Sequence, residues 1–144
     1  YVDEFARLGS DGITVHLERC KDVHATLRRI REHGRKVGIS IKPDTEHDAL
    51  FPSMDEVDMS LVMSVEPGFG GQGYLEKSTE RIREVRRMIE TSGRNIDLEV
   101  DGGIRLDNLK MVLDAGANVI VAGSAVFHGD IERNVREINK ILEA

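Results

Sequence analysis

The chain has 144 residues, 40% hydrophobic and 32% charged, and its 20 Lys and Arg against 26 Asp and Glu give a formal net charge of −6. Such a length buries a core without disulfides or metal, so residues 1–144 are expected to form one domain. The acidic balance argues against nucleic acid as a partner, because phosphate backbones are held by basic stripes, and no apolar run is long enough to span a membrane. The single Cys20 can form no internal disulfide, which points to a reducing, cytoplasmic setting. No targeting segment is visible, and the start at Tyr1 rather than Met is what a piece of a longer product would show.

Taken in chain order, the opening residues place Val2, Phe5 and Ala6 on one helical face that Gly9 and Gly12 end. Ile13–Leu17 is a β-branched run. A helix follows with Val23, Leu27 and Ile30 in phase and Gly34 as its C-terminal stop. The strand–helix unit repeats in "KVGISIKP" and the short helical stretch after it, which Asp44 or Thr45 would cap and Pro52 interrupt. "MSLVMSV" leads through a glycine-rich loop to a helix with Ile82, Val85 and Ile89 on one face. "IDLEVDGG" with "LDNLKMVLDAG", and "NVIVAGS" with a last helix carrying Ile131, Val135, Ile138 and Leu142, complete five units.

Strands alternating with helices imply a parallel sheet of the α/β class, since parallel neighbours need a long crossover. Runs such as "LVMSV" lack polar alternation, so both faces of the sheet are expected to be covered. An open doubly wound sheet and part of a (β/α)8 barrel both satisfy this pattern; complete barrels usually run to about 250 residues. Each strand ends in something chemically loaded: His16, Lys42, Ser64 to Gln72, Asp101 with Gly102 and Gly103, and Gly123 with Ser124. Ligands sit at that edge in α/β folds, so these residues are expected to converge. A dinucleotide fingerprint is a poor fit, because "GFGGQG" follows a middle strand rather than the first.

"VMSVEPGFGGQGY", "LEVDGGI", "ANVIVAGSAVF" and "ITVHLE" together resemble the C-terminal five-eighths of the ribulose-phosphate 3-epimerase family, over nearly the whole chain and in order. The resemblance implies a (β/α)8 TIM barrel of the ribulose-phosphate-binding type, here reduced to about its last five βα units. It implies a cytoplasmic enzyme of the pentose phosphate pathway, a homo-oligomer when intact, that inverts C3 of ribulose 5-phosphate through an enediolate, with two carboxylates moving the proton. It further implies a divalent cation (Zn, Fe, Mn or Co) held by two histidines and two aspartates. His16 matches one of these histidines and Asp101 an aspartate that is both ligand and proton carrier; the family's His-x-Asp strand has no counterpart here. Gly68, Phe69, Gly70 and Gly71 match a lid over the substrate, and Gly102, Gly103, Gly123 and Ser124 match a phosphate cradle. The piece alone is expected to be inactive.

Taken singly, these residues have plainer readings. His16 could be a structural histidine, Asp101 a turn residue, the glycine pairs tight turns and the loop a flexible connector. An epimerase of a six-carbon ketose phosphate would keep the same carboxylates. A non-catalytic phosphate-binding module would be one that has lost the metal half of the site.

Overall fold

The computed structural model describes residues 1–144, and the elements in chain order are α1 (Val2–Arg7), β1 (Gly12–His16), α2 (Val23–Glu32), β2 (Lys36–Ile41), β3 (Met59–Met63), α3 (Lys77–Ser92), β4 (Asp97–Asp101), α4 (Leu106–Asp114), β5 (Val119–Val121), α5 (Ser124–Phe127) and α6 (Ile131–Leu142). The five strands form one parallel sheet in sequence order, β1-β2-β3-β4-β5. Each strand pairs with the next after a right-length crossover, as βα units require.

The register divides the side chains into two faces. Ile41, Val62, Val100 and Ile120 stand side by side in one row, and Val15, Ile39, Ser60 and Leu98 in the row beneath it. On this face Leu27 and Ile30 of α2, Ile82, Val85 and Ile89 of α3, and Leu109 and Val112 of α4 join the strand residues in one core of 20 buried residues. The helices are placed by their ends. Asp22 caps α2 by accepting from the Ala25 amide at 2.9 Å, and Asp130 caps α6 through the Arg133 amide at 3.0 Å. α3 stops at Gly93, whose φ of 67° is left-handed.

The opposite face carries His16, Ser40, Leu61, Glu99 and Val119 in one row and Met63, Asp101 and Val121 above it. It is not covered as the apolar strands suggested: Leu61, Glu99, Asp101 and Val119 are only half-buried. Strand periodicity records how apolar a face is, and α2, α3 and α4 satisfy the more apolar one alone. Both sheet edges, β1 and β5, are paired on one side only.

Three local expectations change. Phe5 is exposed while Ala6 is buried, because α1 is barely a turn and a half and presents only a narrow face to the fold. The stretch His47–Ser53 is a 3-10 turn entered from Glu46; Asp44 instead pairs with Lys77, and the Thr45 hydroxyl donates to Glu18. In α6 the stripe is real, yet Ile131, Val135 and Leu142 remain exposed, and Ile138 with the adjoining Ile141 reaches the core. That helix packs chiefly against α4 and α5.

Leu98, fully buried at the centre of this core, is the position where truncation tests the layering. Leu98→Ala is expected to lower stability by about 2–5 kcal/mol, read as a shifted denaturant midpoint at unchanged slope.

Candidate active site

The C-terminal ends of β3 and β4 are joined through Ser64, which is completely buried. Its amide donates to the Asp101 carbonyl at 2.8 Å, its hydroxyl donates to the Gly102 carbonyl at 2.6 Å, and its own carbonyl accepts from the Leu75 amide at 3.0 Å. The glycine loop therefore leaves from Ser64 and returns to it. Gly102 and Gly103 pack directly under the loop's two ends. A Cβ on Gly102 would stand 2.8 Å from the Val65 nitrogen, and one on Gly103 would stand 2.2 Å from the Tyr74 nitrogen. Both glycines also have positive φ, 130° and 66°. Asn108, in the first turn of α4, donates to the Gly103 carbonyl at 3.0 Å and accepts from the Arg105 amide at 2.8 Å, fixing the turn from below.

Above this base lies a cleft of about 470 Å³ lined by the loop from Val65 to Gln72, by Asp101 to Ile104, and by Met63, Val121, Gly123 and Ser124. Gly68, Phe69, Gly70, Gly71, Asp101, Gly102, Gly103, Gly123 and Ser124 thus meet in one place. His16 does not line it. It ends β1, three strands from Asp101, about 14 Å away along the sheet at ~4.8 Å per strand, and one row lower. A larger hollow of about 690 Å³ beside α1 and α2 contains none of the strand-end residues named above.

No Lys or Arg lines the cleft, so the donors it offers an anion are neutral, backbone amides together with the Ser124 hydroxyl. The amides of Gly103 and Gly123 donate to no group within the chain. Between Val65 and Tyr74 no backbone amide donates to a backbone carbonyl. The donors are free on both sides of the cleft.

The Asp101 carboxylate accepts no hydrogen bond and makes no ion pair, and burial pushes its pKa above the ordinary aspartate value. Glu99, two residues earlier on the same face, is raised first by burial and then by the charge of Asp101. An unpaired carboxylate held short of full solvation is a ready proton acceptor.

At the other end of the rim, His16 Nδ1 lies 2.8 Å from the hydroxyl of buried Ser40. This contact leaves Nε2 as the imidazole's free nitrogen. Glu18 accepts from the Lys42 amide at 2.7 Å and from the Thr45 hydroxyl. Burial alone would raise its pKa, but these hydrogen bonds outweigh it and hold the carboxyl below the ordinary glutamate value. Imidazole nitrogen and carboxylate oxygen are suitable ligands for Zn, Mn, Fe or Co. Their number is insufficient: no three His, Cys, Asp or Glu side chains of the chain are placed so as to hold a metal ion together, so its own residues do not complete a metal site.

Ser64, Gln72, Ser40 and Asn108 shape this site without having stood out individually in the sequence. The signals were present but weak: a serine inside an apolar strand for Ser40 and Ser64, and an asparagine three residues into a helix for Asn108.

A parallel βα sheet with its cleft at the carboxyl ends of the strands defines a piece of the TIM-barrel class of α/β proteins. Solved structures agree at the level of fold. A 3-hexulose-6-phosphate synthase from Salmonella typhimurium superposes with a TM-score of 0.73 at 21% identity over 99% of this chain and 66% of its own. KGPDC from Streptococcus mutans gives 0.73 at 15% identity over 99% and 65%. Residues 1–127 match the Ribulose-phosphate 3 epimerase family. The chain belongs to that family. Ribulose-phosphate 3-epimerase of Serratia marcescens is 44% identical over 88% of this chain and 60% of its own length, and that of Bacillus subtilis is 39% identical over 96% and 64%. The chain therefore spans less than two thirds of the curated relatives it matches. No helix is long and apolar enough to cross a membrane.

Two outcomes follow from the geometry. Gly103→Ala meets both a backbone clash and a left-handed φ, and is expected to cost about 2 kcal/mol or more. Gly70→Ala has open space and no positive φ, so it should leave the melting temperature within a degree or two, roughly 0.5 kcal/mol. Because the folded pKa of Asp101 is raised, its carboxyl favours folding below the unfolded value near 3.8 and loses that contribution as pH rises through the folded value. Asp101→Asn should therefore be more stable than the parent at pH 7, with the difference shrinking below about pH 4 in pH-resolved denaturation.

Proposed function

We propose that the full-length protein carrying this chain interconverts ribulose 5-phosphate and xylulose 5-phosphate by inverting C3. The observation that carries this reading is the placement of Asp101: an unpartnered, half-buried carboxylate at the floor of a cleft walled on both sides by glycine amides with no internal acceptor. A sugar phosphate needs both features, donors for an anion and a base beside a carbon-bound proton.

In the proposed reaction the Asp101 carboxylate takes the C3 proton. The C3–H electron pair forms the C2–C3 double bond, and the C2 carbonyl electrons move onto its oxygen, giving an enediolate. A proton delivered to the opposite face of C3 completes the inversion. The resemblance assigns that second acid to the His-x-Asp strand, which has no counterpart in this chain. Free amides at Gly68 to Gly71 cover the substrate from one side. Those at Gly103, Gly123 and Ser124 hold the phosphate from the other. Closing the loop excludes water and protects the enediolate. A divalent cation held in part by Asp101, with its remaining ligands outside this chain, would supply positive charge opposite the developing oxyanion; His16, three strands away, does not reach the same ion.

Asp101→Asn preserves shape and removes the base. In a coupled assay of the full-length protein kcat is expected to fall by about 10²–10⁴, with a much smaller change in KM. A variant within about tenfold of the parent would remove Asp101 from the proton-transfer role.

A further inference from the structure

The loop over the cleft is poor in the usual sources of order. From Val65 to Tyr74 no backbone amide donates to a backbone carbonyl, Gly68 and Gly71 have φ of 144° and 76°, and a Cβ on Gly68, Gly70 or Gly71 would meet nothing within 4 Å. Phe69 at its crest is 73% exposed. Such a segment would ordinarily sample many conformations, because ordering each glycine costs more entropy than ordering any other residue.

One side chain opposes this. Gln72 Nε2 donates to the Glu66 carbonyl at 2.7 Å and to the Phe69 carbonyl at 2.9 Å. Both acceptors are carbonyls, so the nitrogen of the amide must face them. Both of its N–H groups are thereby spent on the loop. These two bonds tie position 72 back to positions 66 and 69 and enclose the turn at Pro67–Gly68.

We propose that Gln72 is the positioning residue of the lid: its carboxamide holds Glu66 to Phe69 in one shape, so that the amides of Gly68 to Gly71 are already arranged when the substrate arrives. The proposal rests on the sugar-phosphate reading for its ligand and on the two hydrogen bonds for its mechanism. Preorganisation of this kind acts on binding, because the ordering cost is met before the ligand arrives. Loss of two neutral hydrogen bonds of ordinary strength corresponds to about a tenfold effect.

The test uses the full-length protein with Gln72→Glu and Gln72→Ala. Glu keeps the size of Gln but has no N–H to give to a carbonyl, so it separates donation from bulk. A chymotrypsin-type protease cuts after Phe69, while Phe51 and Phe127, 74% and 71% exposed, serve as internal controls. Both variants are expected to be cut at Phe69–Gly70 several-fold faster than the parent, with cleavage at the controls unchanged. KM for ribulose 5-phosphate should rise about tenfold while kcat moves less. If Gln72→Glu matches the parent in Phe69 cleavage, or if kcat falls while KM holds, the positioning role is overturned. A parent that turns over no sugar phosphate would instead defeat the functional reading, and the proteolysis would still decide the role of Gln72.

Discussion

Buried Ser64 is the joint on which the site depends. Through its amide and hydroxyl it locks the end of β3 to the end of β4, and through its carbonyl it receives the returning loop at Leu75. Gly102 and Gly103 make the joint tight, since any side chain there would strike the backbone of Val65 or Tyr74. The carboxylate of Asp101, the base of the lid and the turn that opens α4 therefore form one rigid unit. The glycine loop lies above it.

Function in this arrangement comes from what is left unpaired. Buried polar groups ordinarily find partners, because leaving them without one is costly. Here a half-buried carboxylate and the glycine amides around it have none inside the chain, while the ion pairs elsewhere, such as Arg31 with Asp58 and Arg81 with Glu46 and Glu84, are satisfied far from the cleft. An acidic protein can in this way bind an anion: the net charge of −6 is spread over the surface, and the cleft offers oriented N–H dipoles with no lysine or arginine.

Much of this was legible in the sequence, and the limits have physical causes. The five strands and the cores of α2 and α3 follow from periodicity, because Leu27, Ile30, Ile82, Val85 and Ile89 are buried for the reason their spacing implies. The convergence of Asp101 with the two glycine clusters was also visible, since parallel strands in sequential order bring their carboxyl ends to one edge. What could not be read is which residues meet across the chain. Ser40 beside His16, Ser64 beneath Gly102 and Gln72 inside its own loop are contacts of register and turn geometry, which composition does not encode. The apolar stripe of α6 was correctly phased, but phase says nothing about whether a neighbour covers it. For His16 the sequence indicated the rim, and the sheet sets it three strands from Asp101, outside the cleft that holds the other candidates.

Proton exchange at the substrate carbon is the most direct test. When the full-length protein acts on ribulose 5-phosphate in D2O, deuterium should enter at C3, and Asp101→Asn should suppress that incorporation along with turnover. Epimerisation that retains the original C3 hydrogen, or unchanged deuterium uptake in the variant, would contradict a carboxylate at position 101 as the group that moves the proton.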